Sequence, residues 1–197
     1  MSSLKTLKYS FVCLTLLAIA CAPEVEQTTP PQSRATSTAA EESAVVESLR
    51  PEDLLTNGLA PFEGEAILVG GQPTPGQLER ARDLGYKTVI NLRQPEEKDN
   101  TDPELVRYLE MTYVSLPIGG PSDITQEKAR ALADALEATE SPVLVHCASG
   151  NRVGGLFAMK AFYVDGMSPE EALAVGKAAG MTRLEPTVRE KLGLPTE

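Results

Sequence analysis

Histidine is nearly absent from this chain of 197 residues, and tryptophan is missing altogether. His146 is the only histidine, and Cys147 is the only cysteine beyond residue 21, so these two residues together cannot supply a zinc centre. Basic residues are also few: 18 lysines and arginines stand against 28 acidic residues, which gives a formal net charge of −10 and leaves no basic stripe. We therefore expect no metal, no cofactor and no nucleic-acid partner. A Walker phosphate loop and a dinucleotide fingerprint are missing from the sequence as well.

The first 21 residues are typical of an export signal. Two lysines precede an apolar run at 11–20, which is shorter than the roughly 20 apolar residues of a membrane-spanning helix. Residues 17–21 resemble the lipobox of bacterial lipoproteins, with Cys21 as the residue that is lipidated. An ordinary signal peptide that is cleaved nearby is the alternative. Because Ala22 rather than aspartate follows the cysteine, the pattern predicts a lipid-anchored protein of the bacterial cell envelope, at the outer membrane and facing the periplasm.

The rest of the chain divides into a tether and one globular domain. Residues 22–50 are rich in Thr, Ser, Pro, Ala and Glu and predict a flexible tether, and residues 51–197 form the predicted catalytic domain. Removing the signal with its two lysines would change the net charge from −10 to −12. It would also leave Cys147 as the single free thiol of an exported protein, which indicates reactivity. A small buried apolar residue is the alternative role for Cys147.

Strands and helices alternate along the domain. The apolar runs predict strands at 66–69, 87–92, 112–118 and 143–145, the last of which is continuous, as in the centre of a parallel sheet. Helix-capping patterns begin at Thr74, Thr101, Asp123 and Ser168, and a helix that is apolar nearly all round covers 152–165. This order predicts an α/β fold: an open, mostly parallel sheet with helices on both faces. Ligands of such sheets bind beyond the carboxyl ends of the strands, which is where Cys147 falls.

The segment between the central strand and the apolar helix carries the chemistry. The backbone N–H groups of such a loop and of the first helical turn, with the helix dipole, create an anion site. In such a site the pKa of a cysteine falls from about 8.5 towards neutral or below, so Cys147 is the predicted nucleophile. Arg152 is positioned to hold a tetrahedral oxyanion with two parallel N–H bonds. The residues predicted to surround the anion are His146, Ala148, Ser149, Gly150, Asn151 and Val153.

From about residue 65 to 192 the chain resembles the phosphatase-like domain of beta-lactamase hydrolase-like proteins, within the cysteine-dependent protein tyrosine phosphatase superfamily. Residues 69–73, 84–93 and 146–154 carry the resemblance. It implies a protein tyrosine phosphatase-like fold and a catalytic Cys147 and Arg152.

The resemblance also implies roles for residues outside the loop. His146 would orient the nucleophile loop from behind, with a merely packed or solvated histidine as the alternative. Asp123 would act as a general acid, although Asp123 with Gln126 also matches a helix N-cap. Gln72 and Arg93 match the family pattern at strand ends and would line the pocket. The run 96–99 favours a solvated loop over an acid–base pair.

Two departures from the phosphatase pattern leave the reaction open. Four residues rather than five separate Cys147 from Arg152, and Val153 occupies the position where phosphatases have a hydroxyl residue. The first hypothesis is a cysteine-dependent phosphatase acting on a small-molecule or other phosphoester. The second is a sulfurtransferase that takes sulfur from a donor as a Cys147 persulfide, which suits the short loop. The third is a catalytically degenerate pocket that binds an anion or a partner. The oligomeric state is not determined by the sequence.

Overall fold

The computed structural model describes residues 60–62 and 66–196. The predicted export signal, the lipidation site Cys21 and the tether lie outside the described residues, so they stay predictions, as does the domain start at 51. Within the described segments, no helix is long and apolar enough to cross a membrane.

Five strands form one sheet. They are β1 (Ala60–Phe62), β2 (Ile67–Gly70), β3 (Thr88–Asn91), β4 (Thr112–Ser115) and β5 (Val143–His146). Their order across the sheet is β1-β2-β5-β3-β4, and only β1 runs antiparallel, with Ala60 opposite Val69. The other pairs are parallel, so the predicted mostly parallel sheet is confirmed, with β5 at its centre. The edge strand β1 was not predicted, because three residues are too few to establish an alternating pattern.

Six α-helices lie in the described part of the chain. They are α1 (Pro75–Asp83), α2 (Pro103–Tyr108), α3 (Gln126–Ala138), α4 (Asn151–Tyr163), α5 (Pro169–Ala178) and α6 (Glu185–Leu192), with a short 3-10 turn at Pro121–Asp123. Most of α4 is buried, as its apolar pattern predicts.

Alternate residues of the strands face two separate hydrophobic clusters. Leu144 packs with the side chains of α1 and α2, whereas Val143 and Val145 pack with those of α3, α4, α5 and α6. Because successive strand residues point to opposite faces, this division puts helices on both sides of the sheet. The predicted three-layer α/β arrangement is confirmed.

Two predicted helix caps are correct and two are wrong. Thr74 and Ser168 each close a capping box before a proline. In contrast, α2 is capped by Asp102, whose carboxylate accepts the Glu104 N–H. The cap of α3 is Thr125, so the predicted N-cap role of Asp123 is wrong. The hydroxyl of Thr101 instead contacts Nε2 of His146, which lies 45 residues further along the chain and which no local pattern indicates.

Candidate active site

The nucleophile loop connects the central strand β5 to the buried helix α4, and both neighbouring strands hold it. The Cys147 N–H donates to the Gly70 carbonyl at 3.1 Å, and the Gln72 N–H donates to the Ala148 carbonyl at 3.2 Å. On the other side, the Leu92 N–H donates to the His146 carbonyl at 2.9 Å. The loop therefore starts at a fixed position at the carboxyl edge of the sheet, as predicted for a ligand site.

The sulfur of Cys147 is buried and accepts a hydrogen bond. Cys147 is 1% exposed, and the Gly150 N–H donates to its Sγ at 3.2 Å. Gly150 has a φ of +84°, a left-handed conformation that glycine adopts without steric cost and that turns this N–H inward. An N–H donated to sulfur stabilises negative charge there, whether on a nucleophile or on a departing thiolate. Burial alone would suit a packing role, whereas the donated N–H is a feature that a nucleophile also needs.

Glu97 and the Ile118 carbonyl hold Arg152 by one end of its guanidinium. Its Nη1 and Nη2 donate to the two carboxylate oxygens of Glu97 at 2.6 and 2.8 Å, and Nη1 also donates to the Ile118 carbonyl at 2.8 Å. A guanidinium has five N–H donors, and these contacts use three of them. The other two, the Nε–H and one Nη2–H, are neighbours on one edge of the group, and Cys147 is a further side-chain hydrogen-bond partner of Arg152. That edge forms two parallel bonds to an oxyanion. The pKa of Arg152 is raised, chiefly by the Glu97 hydrogen bond and also by the nearby Cys147.

Glu97 is the site residue that the sequence analysis missed. Besides Arg152, its carboxylate accepts bonds from Arg93 Nε at 3.1 Å and from the Gln94 N–H at 2.8 Å. The Arg152 hydrogen bond is the main cause that lowers the pKa of Glu97 to about 2, so the carboxylate is ionised at neutral pH. Its partner lies 55 residues away in the sequence. Within the acidic run 96–99, nothing distinguishes it from a solvated side chain.

Arg93 holds the loop that carries Glu97. Its Nη1 donates to Gln72 Oε1 at 2.6 Å and to the Asp99 carbonyl at 3.0 Å, and its Nη2 donates to the Lys98 carbonyl at 2.5 Å. The guanidinium is 8% exposed, supports this loop, and is not among the residues that line the depression beside the nucleophile loop. The predicted pocket role of Arg93 is thus replaced by a positioning role.

An open depression of about 700 Å³ lies against the exposed rim of the nucleophile loop. It is lined by Gln72, Pro73, Thr74, Pro75, Asp99, Ala148 and Ser149. Gln72 therefore has the predicted position, and the exposed Ala148 and Ser149 border the open side of the loop.

His146 is fully buried and belongs to a chain of hydrogen bonds behind the loop. Its Nδ1 lies 3.3 Å from the Cys147 carbonyl, which only accepts, so Nδ1 carries the proton. Its Nε2 then accepts the Thr101 hydroxyl at 3.1 Å, and that hydroxyl accepts Gln72 Nε2 at 2.7 Å. The ring thus holds the backbone of Cys147 from behind. His146 is not solvated, although it stands at the end of a strand.

Burial of neutral His146 makes the stability of the fold depend on pH. Burial is the main cause that lowers its pKa from 6.5 to about 4. Between these values the unfolded chain binds a proton that the folded chain does not, so stability decreases as the pH falls. We expect the free energy of unfolding, from urea titrations, to drop by about 2 to 3 kcal/mol between pH 7 and pH 4.5.

A matched variant isolates this effect. Glu97, with its pKa lowered from 4.5 to about 2, loses most of its stabilisation below this window and about 0.4 kcal/mol at its lower edge. His146 is the only histidine, so His146→Gln should give a nearly flat profile from pH 7 to 4.5. A profile that keeps the slope of the unsubstituted protein would contradict the assignment.

Asp123 lies in the same loop as the carbonyl that anchors Arg152. It ends the 3-10 turn Pro121–Asp123, is half-buried, and its Oδ2 accepts the Gly119 N–H at 2.8 Å. Ile118, the residue before Gly119, provides the carbonyl that Arg152 binds. Asp123 therefore does not cap α3, and it lies five residues after the residue whose carbonyl Arg152 binds.

The remaining predicted loop residues contribute through their backbone. The Asn151 Oδ1 accepts bonds from the Thr182 N–H, the Thr182 hydroxyl and the Leu184 N–H, at 2.9, 3.2 and 3.1 Å. This side chain therefore binds the link between α5 and α6 and not an anion in the loop. Val153 is fully buried in the core, so neither of these two side chains is placed to bind an anion, and only their main-chain N–H groups at the start of α4 remain for that role. Across residues 66–196, no three His, Cys, Asp or Glu side chains are grouped to hold a metal ion.

A parallel α/β sheet with a cysteine after its central strand and an arginine at the start of the next helix defines the class of protein tyrosine phosphatase-like folds. Residues 62–162 match the family described as the phosphatase-like domain of beta-lactamase hydrolase-like proteins. The match covers half of the chain, and the protein belongs to this family. The resemblance stated from the sequence is confirmed.

Relatives and solved structures agree with this assignment. A beta-lactamase hydrolase-like protein of Xylella fastidiosa strain Temecula1 is 32% identical over 121 residues, which are 59% of this chain and 28% of the relative. The chain thus spans less than a third of that relative. A candidate phosphatase of Neisseria meningitidis has a TM-score of 0.55 at 25% identity, over 65% of this chain and 92% of that one. TpbA of P. aeruginosa, with a TM-score of 0.53 at 20% identity over 66% and 81% of the two chains, shares the fold.

Proposed function

We propose that this protein hydrolyses phosphoesters through a cysteinyl-phosphate on Cys147. The observation that carries the proposal is the geometry of Arg152, which Glu97 and Ile118 hold by one end while two adjacent N–H donors lie on the other edge and Cys147 is a further hydrogen-bond partner. Two parallel donors match two oxygens of a phosphoryl group. The membership of a phosphatase-like family supports the same reaction class.

In the first step, the Cys147 thiolate attacks phosphorus and the bond to the leaving oxygen breaks. Arg152 and the main-chain N–H groups of the loop stabilise the equatorial oxygens as charge develops on them. Asp123, in the same loop as the Ile118 carbonyl that binds Arg152, is the proposed donor of a proton to the leaving oxygen. In the second step, water attacks the cysteinyl-phosphate, inorganic phosphate leaves, and the Gly150 N–H receives the thiolate again.

Sulfur transfer is the second candidate, and two observations favour it. Only four residues separate Cys147 from Arg152, which removes one N–H from the cradle relative to a phosphatase loop. Val153 is buried and offers no hydroxyl to a departing thiolate. In this reaction Cys147 would take the outer sulfur of thiosulfate, sulfite would leave, and a nucleophilic acceptor would then remove the sulfur from the persulfide.

The mass of the intact protein after exposure to each donor distinguishes the two reactions. We expect a phosphoryl-sized gain on Cys147 after brief, acid-quenched incubation with an activated aryl phosphate, together with release of the aryl alcohol. Cys147→Ser, matched in size, should give neither signal. A stable sulfur-sized gain from thiosulfate without any phosphoryl signal would replace the phosphatase proposal by sulfur transfer. The absence of both adducts and of turnover would leave a binding function only.

A further inference from the structure

A second depression, of about 410 Å³, lies beside the nucleophile loop on the side of α6. Its lining residues are Thr182, Arg183, Glu185, Pro186 and Arg189. Through Asn151, the residue before Arg152, the loop accepts both the N–H and the hydroxyl of Thr182. Gly150 and Gly180 also touch, since a Cβ on Gly180 would lie 3.6 Å from the Gly150 Cα. One wall of this depression is therefore fixed to the nucleophile loop.

The charge around this depression is positive, although the whole chain has a formal charge of −10. Lys177 and Arg189 each lie 2.8 Å from the same oxygen of Glu185, so one carboxylate is shared by two cations. Both cations lower the pKa of Glu185, which keeps that carboxylate ionised and paired. Arg183 is exposed and forms no ion pair with a carboxylate of the described residues. Its charge is thus available to a ligand.

We propose that this depression binds a second acidic group of the substrate, with Arg183 as its main contact. This inference rests on the proposed phosphoester hydrolysis and names its substrate class: phosphoesters that carry a further carboxylate or phosphate near the scissile group. Arginine suits this role because its donors pair with either anion in a bidentate manner.

The two depressions beside the loop carry charges of opposite sign, and this difference orients such a substrate. The depression at Ser149 contains the Asp99 carboxylate and two prolines, and it repels an anionic substituent. The depression at Arg183 attracts an anionic substituent. The hydrogen bonds of Asn151 to Thr182 and Leu184 tie the segment that carries Arg183 to the start of α4, where Arg152 lies. Because Asn151 ties the segments of both arginines together, a substrate whose two anions reach both would lose less entropy on binding.

Binding to the full-length Cys147→Ser protein tests the inference without turnover. The probes are two phenyl phosphates that differ only in a ring carboxylate or the isosteric carboxamide, and a third that has a second phosphate at that position. By titration calorimetry at low salt, the acidic probes should bind about three- to fivefold more tightly than the carboxamide, as for one exposed ion pair. The ratio should approach one in high salt and after Arg183→Ala. The carboxylate and second-phosphate probes together identify which anion is preferred.

Arg130→Ala is the matched control, because Arg130 lines a separate depression next to Val164. It changes the net charge equally and should leave the ratio unaltered. A ratio of one in the Cys147→Ser protein, a ratio that survives Arg183→Ala, or no binding of any probe would overturn the subsite. Hydrolysis of the carboxamide probe by the unsubstituted protein is a separate measurement: its failure would remove the proposed reaction, whereas the binding ratio would still establish the subsite.

Discussion

Replacing Arg152 with lysine is expected to lower kcat/KM for an aryl phosphate by about 10²- to 10³-fold with the fold intact, the size of effect seen when a transition-state donor is removed. Lysine keeps the positive charge but has a single nitrogen, which cannot bind both Glu97 oxygens and still offer two parallel donors to an oxyanion. Steady-state kinetics on the purified variant measure the loss, and an unchanged unfolding midpoint shows that the fold is retained. Activity within tenfold of the unsubstituted protein would mean that charge alone, without the fork, suffices.

Glu97→Gln is the companion variant, because it tests how the guanidinium is held. Glutamine has the shape of glutamate but only one oxygen, so it accepts one of the two Arg152 bonds and, with the Ile118 carbonyl, holds the guanidinium less firmly. We expect a smaller loss of kcat/KM than in Arg152→Lys, with the arginine misaligned rather than missing. A rise in activity would show instead that Glu97 competes with the substrate anion for Arg152.

Adding one methyl group at Gly154 is expected to destabilise the whole domain by about 3 kcal/mol, the upper range for overpacking a core. A Cβ at this position would lie 2.2 Å from the Met181 nitrogen and 2.4 Å from the Gly176 oxygen. Both are main-chain atoms, so no side chain can rotate away, and α4 and α5 have to separate. Urea unfolding of Gly154→Ala should show a clearly lower midpoint.

The neighbouring Gly155→Ala provides the control. There a Cβ would meet Leu184 Cδ1 at 3.3 Å and Ile124 Cδ1 at 3.4 Å, which are the ends of flexible side chains. Alanine also favours a helix over glycine by about 1 kcal/mol, which offsets this crowding. We expect Gly155→Ala to stay within about 1 kcal/mol of the unsubstituted protein. Equal destabilisation by both substitutions would show that the close approach at Gly154 is not the cause.

Local patterns were enough to predict most of the fold. The capping boxes at Thr74 and Ser168, the continuous strand before His146 and the apolar helix after Arg152 all depend on contacts within a few residues. Such contacts leave a periodic trace that can be counted in the sequence. The nucleophile loop was located for the same reason, since its members are consecutive.

The partners of those members were not located, because they come from other strands and loops. Glu97 reaches Arg152 across 55 positions and Thr101 reaches His146 across 45. The same reason explains the wrong caps: Thr101 and Asp123 match a capping pattern, but the hydroxyl of Thr101 has a better buried partner, and Thr125 starts α3 instead. Local preference predicts where such a residue is able to bond, and the fold determines which bond it makes.

The sequence by itself determined the class of fold, the family and the consecutive residues of the nucleophile loop, because these depend on periodicity and on neighbours along the chain. Only the tertiary structure decided that Arg93 supports a loop, that Asn151 binds the α5–α6 link, and that Glu97 holds one end of Arg152. The physical reason is that a polar side chain has several possible partners of similar energy, and burial by distant segments selects among them.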